Sequence, residues 1–273
     1  MSKPFEVLCV SMHQSDMSLY RKMNIAADAV IANQTERFEV MEAELDGHRV
    51  RMYSTATRGV GVNRNTALMY AEADVCLLAD DDMTYADGYA EKIVEEFEHH
   101  PEADAVIFNI GTSTPQFGRI PTKIKKYAWL HAWSRNPFGA PRLAFRLESV
   151  RKRNLCFTTY FGGGCLFRTG EDSIFITQLL NSGAKILLSP VYIGDVAYSE
   201  DSTSIIYDIH EKMYTRGALL EAQKNGLTGL MVLYYSFFRK NGIPPLETWK
   251  FIHEGRKGYR SLRTYQQYQS QID

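Results

Sequence analysis

Three consecutive aspartates, Asp80, Asp81 and Asp82, close an apolar run that begins at Ala73. Carboxylates crowded at the end of a buried strand repel one another, and burial adds to the cost of keeping each ionised. A hard divalent cation relieves that repulsion, and such ions take oxygen ligands and share them with phosphate. A solvated acidic turn with a helix cap is the competing reading; the strand ahead of the triplet weighs for the chemical one. A second acidic pair, Glu171-Asp172, follows Gly170 where a helical pattern starts. The helix dipole favours anions in a first turn, so capping competes here with a role at a ligand. Gly162, Gly163 and Gly164 lie just ahead. Backbone bare of side chains lets a ligand approach closely, and an acid beside such a floor can face a bound substrate.

The elements that must carry these groups alternate through the first half. Residues 5–12, 28–33 and 75–79 read as buried strands, residues 38–45 and 49–54 as strands around the Asp46-Gly47 turn, and residues 105–110 as another strand. Helical patterns fall at 18–27, 59–73 and 87–100. Such alternation predicts an α/β fold: a mostly parallel central sheet flanked by helices. In such sheets ligands bind beyond the carboxyl ends of the strands, at a topological switch point. Asp80 to Asp82 stand at one such end, Met12-His13 and Asn33-Gln34 at two others.

The second half changes character. Residues 119–153 hold ten Lys/Arg and one acid, with Tyr127, Trp129, Trp133, Phe138 and Phe145 interleaved. The stretch reads as a solvated surface with its tryptophans buried, as an acceptor flap in which aromatic faces stack on sugars and cations hold phosphate, or as a dock for anionic lipid. Residues 157–167 look like a strand interrupted by glycines, 171–182 a helix, 185–198 strand-rich. Helices are expected over 204–225, 227–240 and 246–255, and the tail from 259 shows no clear periodicity. This divides the chain into a sheet domain over 1–200 and a helical C-terminal extension over 201–273.

The order of motifs is specific. Gly59-Val60-Gly61-Val62-Asn63-Arg64-Asn65 comes first, then Asp80-Asp81-Asp82, then Gly162-Gly163-Gly164-Cys165 and Glu171-Asp172-Ser173-Ile174-Phe175. Together they resemble glycosyltransferase family 2, with the GT-A nucleotide-sugar fold, over roughly residues 5–198. The resemblance implies a metal-dependent, inverting transfer of a sugar from a nucleotide-sugar donor, with UDP the expected carrier, to a hydroxyl of a glycan or lipid-linked acceptor. It implies that Asp82 ligands Mn or Mg, that Asp80 or Asp81 holds the ribose or the metal's waters, and that Arg64 contacts the nucleotide. Asp172 would be the general base, with Glu171 shaping the acceptor site and Gly163 and Gly164 lining the sugar pocket. Asn33 stands where relatives often carry a base-reading aspartate; its amide could pair with uracil or simply bond within its turn. The histidine metal ligand that relatives place before Ser202-Thr203-Ser204 is missing, which leaves His210, further along the helical pattern, as a candidate, and His13 as a candidate nucleotide contact. A sugar nucleotidyltransferase is the rival enzyme, but no glycine-rich basic loop stands near the N-terminus. A glycan-binding protein on the same scaffold is the non-enzymatic rival; joint retention of Arg64, Asp82 and Asp172 argues against it.

Bulk properties fit. A net charge of -1 gives no reason to expect a nucleic acid partner. No apolar run approaches the ~20 residues that span a bilayer. The first residues run into a strand without a signal-peptide pattern, so a cytoplasmic setting is expected, with the inner membrane face open as a peripheral site. The apolar aromatic stretch 230–238 would suit core, a homodimer interface or lipid. Cys9, Cys76, Cys156 and Cys165 lack CxxC spacing, so reduced, buried thiols are expected and a zinc site is not.

Overall fold

In the computed structural model the described residues are 4–117, 120–131, 138–197, 208–223 and 228–270. One sheet organises them. Strand β1 (Phe5–Met12) is followed by a single helical turn α1 (Leu19–Lys22), β2 (Asp28–Gln34), the hairpin β3 (Glu39–Leu45) and β4 (His48–Thr55), and helix α2 (Val60–Met69). Next come β5 (Val75–Asp80), β6 (Met83–Tyr85), α3 (Tyr89–His99), β7 (Ala105–Thr112), β8 (Ala128–Leu130), β9 (Leu143–Arg146), α4 (Leu147–Lys152), α5 (Glu171–Asn181) and β10 (Ile186–Val196). The C-terminal helices are α6 (Ile209–Gln223), α7 (Thr228–Leu233), α8 (Pro245–Ser261) and α9 (Tyr265–Gln269).

The strand order is β3-β4-β2-β1-β5-β9-β7-β10-β6, with β8 on β10. Strands β4, β2, β1 and β5 are mutually parallel. The chain steps from β1 to β2 on one side and later returns to β5 on the other, so the switch point falls between β1 and β5. The runs in β1, β2 and β5 are almost wholly buried because helices cover both faces. One core cluster packs Tyr20, Tyr89 and Phe97 on one face; the other packs Leu68, Phe157 and Phe175 on the opposite face.

Several expectations are corrected. The helix over 18–27 shortens to one turn because Asn24 takes a left-handed φ of 53° and the Met23 carbonyl accepts the Tyr85 N–H at 2.9 Å. Residues 157–167 form no strand: Gly162 and Gly164 have φ of 107° and 77°, and the segment bonds to itself, Gly162 N–H to Phe167 O at 2.7 Å and Phe167 N–H to Tyr160 O at 2.9 Å. Of the stretch 119–153, residues 120–131 are mostly exposed, but residues 138–147 are not solvated surface. The stretch supplies β9, an antiparallel strand inserted between β5 and β7. Two of its arginines are consumed internally: Arg142 donates to the Phe108 carbonyl at 2.7 Å and Arg146 to those of Phe97 and Ala103 at 2.8 and 3.0 Å. Trp129 is 38% exposed rather than buried; Trp133 lies outside the described residues. Cys9 and Cys76 are buried, but Cys156 is exposed and Cys165 only half-buried. The tail is ordered into the end of α8 and into α9, whose Thr264 and Gln267 form a reciprocal capping box. The segment 198–207, including Ser202-Thr203-Ser204, lies outside the described residues.

Helices α6 and α8 cross at Gly217 and Gly255, where added side chains would strike the Ile252 and Tyr214 carbonyls. Tyr214, Ala218, Tyr265 and Tyr268 share a cluster with Phe161, Phe167 and Ile174. The C-terminal helices thus buttress the glycine segment and α5.

Candidate active site

The carboxyl ends of β1, β2 and β5 are tied to α2 by side chains that replace missing backbone partners. Asn63, buried in the first turns of α2, donates to the Ser11 and Ala32 carbonyls at 3.1 and 2.8 Å. Gln34 donates to the Gly59 carbonyl at 2.7 Å. Glycines then let the start of α2 dock on residues 158–165: Val60 N–H bonds to Gly163 O at 3.0 Å, and Gly61 lies against the Thr158 carbonyl. A Cβ at Gly61 would run into that carbonyl oxygen, a backbone atom with no rotamer to escape. Gly61→Ala is expected to cost about 1–3 kcal/mol, read as a lower thermal midpoint; an unchanged midpoint would mean that the two segments do not meet this closely.

Docking of α2 puts Arg64 between the two acidic clusters. Its side chain is 4% exposed and reaches Asp80 at 2.7 Å and Glu171 at 2.8 Å, with its guanidinium 5.5 Å from the Phe157 ring centroid. Burial works against the Arg64 charge, but Asp80 and Glu171 outweigh it and hold its pKa above the ordinary value. Arg64 thus forms an ion-paired bridge between two carboxylates. Glu171 is buried, and its second oxygen accepts the Gly170 N–H at 3.2 Å. Gly162 leaves the room, since a Cβ there would touch Val60 and the Glu171 carboxylate.

Asp172 follows in the first turn of α5, with one oxygen accepting the Ser173 N–H at 2.6 Å. Its pKa is pushed up to about 7, by burial first and Glu171 second, while Arg64 pulls the other way. The Gly139 backbone passes close: a Cβ there would sit 3.4 Å from Asp172 Oδ2. The middle of the basic stretch therefore borders this carboxylate.

On the other side of the switch point, Asp81 accepts a bond from Ser11 Oγ at 2.8 Å, and burial, joined by Asp80, raises its pKa. The Asp82 carbonyl accepts the Ala197 N–H at 2.8 Å, which seats the triplet beside the end of β10. Asp80, Asp81 and Asp82 are each partly exposed. All three offer hard oxygen donors at one strand end, the donor chemistry that Mg and Mn prefer.

The remaining candidates divide. Met12 is exposed at the end of β1, and His13 takes a left-handed φ of 59° with its N–H bonded to Gln34 O at 2.8 Å. Both border the same strand ends. Asn33 is fully buried; its amide donates to Gln14 O and Ser54 Oγ, both at 2.9 Å, and accepts the Gln14 N–H at 3.0 Å. With both donors taken, it clamps the loop after β1 instead of presenting an edge to a base. Gly163 and Gly164 face the start of α2, where Gly164 leaves space for Gly59. His210 stands on α6 with its ring nitrogens 2.9 Å from Glu247 and 3.4 Å from Asp208, tilted against Phe251. Its contacts thus belong to the C-terminal helices. Sequence reasoning missed Ser11 and Gly139 and assigned no role to Gln34 or Asn63. Asn63 had a signal, a polar side chain beside Arg64 behind a glycine turn; Gly139 had none.

Residues 32–167 match the model of the family described as Glycosyl transferase family 2. The match takes in Arg64, the aspartate triplet and the glycine segment, and stops just short of Glu171-Asp172. No curated protein matches the chain. Among solved structures, residues 1–349 of S. aureus TarS in complex with UDP-GlcNAc superpose with a TM-score of 0.60 at 14% identity, over 95% of this chain and 73% of that one. The same segment of TarS alone gives a TM-score of 0.59 at 12% identity, over 96% and 93%. Its complex with UDP gives 0.57 at 12% identity, over the same shares. The shared architecture is the GT-A glycosyltransferase fold.

Proposed function

Because this chain belongs to glycosyl transferase family 2 through residues 32–167, we propose that it moves a sugar from a UDP-linked donor to an acceptor hydroxyl with inversion, Asp172 acting as general base. The observation that carries the reading is Arg64, one buried cation bonded to Asp80 on β5 and Glu171 on α5. It joins the two acidic clusters around one site, as a transfer between a donor and an acceptor requires.

Asp82 would ligand a Mn or Mg ion, with Asp80 or Asp81 holding the ribose or the metal's waters, carboxylate oxygens matching the ion's preference. When bound, such an ion supplies positive charge to the departing diphosphate. Ser11 orients Asp81 for that task through its hydroxyl. The UDP expectation rests on the fold shared with TarS, whose structures contain UDP-GlcNAc and UDP. At the acceptor side, an alcohol is a poor nucleophile and its proton must leave during attack. Asp172, with a pKa near 7, exchanges protons readily at neutral pH. Glu171 raises the basicity of its neighbour, against the pull of Arg64. One base opposite one leaving group makes a single displacement that inverts the anomeric centre. The acceptor is proposed to be a hydroxyl of a glycan or of a lipid-linked sugar.

Asp82→Ala tests the donor side. Titration calorimetry with UDP should show binding that Mn strengthens in the parent and leaves unchanged in the variant. Equal Mn dependence in both proteins would remove Asp82 from the metal site. Slow Mn-dependent hydrolysis of a UDP-sugar would separate an enzyme from a binding protein.

A further inference from the structure

We propose that the outer face of residues 228–250 rests on the surface of an anionic lipid bilayer. Helix α7 continues into a π-helical turn, Tyr234–Phe238, and both pack beside α8. Their inner face is already satisfied: Val232 and Tyr235 are buried in a cluster with Met213, Leu220 and Ile252. The outer face is just as apolar. Phe238 is 79% exposed, Leu246 73% and Leu230 64%, and Tyr234, Phe237 and Trp249 are exposed around them. A helix apolar on all sides belongs in a second apolar medium, not in water. Contact would be peripheral, since among the described residues no helix is long and apolar enough to cross a membrane.

Charge selects the medium. Residues 228–250 carry Arg239, Lys240 and Lys250 against one acid, Glu247, in a chain whose net charge is -1; further along α8, Arg256 and Arg260 pair with Glu221, and Glu254 is the next acid. Both acids are engaged: Glu247 with His210, and Glu254 with Lys257 and Arg263. Lys240 and Lys250 are exposed beside the aromatic side chains, and Arg239 lies 5.3 Å from the Tyr235 ring centroid. Aromatic and leucine side chains flanked by long cationic ones suit the boundary between headgroups and acyl chains. Clustered Lys/Arg are drawn to anionic headgroups. A second copy of the chain would bring the same positive face against itself, which disfavours a dimer here.

The test is flotation with vesicles of phosphatidylcholine alone and of phosphatidylcholine mixed with phosphatidylglycerol, at low salt. The parent should float with the anionic vesicles and largely fail to do so with the neutral ones. Lys240→Glu combined with Lys250→Glu should weaken partitioning by about tenfold or more. Phe238→Ser combined with Leu246→Ser should also weaken it, with the urea midpoint unchanged because both side chains face solvent. A parent that stays at the bottom of the gradient overturns the proposal. So does flotation indifferent to both double variants, or a sedimenting dimer that Phe238→Ser and Leu246→Ser dissociate in a chain that ignores vesicles. None of these readouts depends on sugar transfer.

Discussion

Asp172→Asn is expected to lower the transfer rate by about 10²- to 10⁴-fold, the usual worth of a positioned general base, while calorimetric affinity for UDP persists. The pH profile supplies the sharper signature. A base works deprotonated, and burial with Glu171 holds this carboxyl near 7. In the parent kcat/KM should therefore climb with pH and level off above about 7; in the variant that limb should vanish from whatever activity remains. Stability should move the other way. Between the ordinary 3.8 and about 7 the folded protein keeps a proton that the unfolded chain has lost, so raising the pH through this window costs stability. Asparagine stays neutral and escapes that cost. At pH 8 Asp172→Asn should unfold at higher urea than the parent while being nearly inactive, a trade between function and stability. A variant that turns over normally ends the base assignment. One that is both inactive and less stable attributes the loss to misfolding.

The second large effect is Arg64→Met. Methionine keeps much of the length and apolar volume of the side chain but removes the charge, leaving Glu171 with an 11% exposed side chain and Asp80 with one 32% exposed. Breaking a buried pair strands the remaining charges, at about 3–5 kcal/mol when burial is complete. Partial solvation of Asp80 puts the expectation near the lower end, about 3 kcal/mol, read as a fall in the urea midpoint. Adding Glu171→Gln should recover part of the loss, because one stranded carboxylate is then neutral; a double-mutant cycle measures the coupling. A shift below about 0.5 kcal/mol would show that the bridge does not hold these elements together. The same substitution removes the cation that pulls the Asp172 pKa down, so the rising limb of the pH profile should move to higher pH. The two experiments thus probe one electrostatic unit from opposite ends.

The alternation of apolar strands and amphipathic helices is a local property, written in period and punctuation. It sufficed for β1, β2, β5, α2, α3 and α5, and for placing Asp80 to Asp82 at a carboxyl strand end. Glu171 and Asp172 were legible as acids opening a helix behind glycines. Strand β9 was not legible, because Leu143 to Arg146 is short and its flanking arginines look solvated until the carbonyls of Phe97, Ala103 and Phe108 are brought to them. Residues 157–167 read as a strand because their apolar content is high; the left-handed glycines decide otherwise.

Partnership was the part that only tertiary structure could decide. Arg64 and Glu171 are 107 positions apart, and the residue types alone permit either a nucleotide contact or an ion pair. Packing of α2 against the 158–165 segment, through Gly61 and Gly163, brings them to 2.8 Å as an ion pair. Asn33 was settled in the same way, by Gln14 and Ser54 closing on its amide. Residue types and their order determined which chemistry was available; the surroundings of each charge, set by contacts distant in sequence, determined which carboxylate is paired and which is basic. The physical reason is that ionisation depends on desolvation and on neighbouring charges, and both arise from chain segments that meet only after folding.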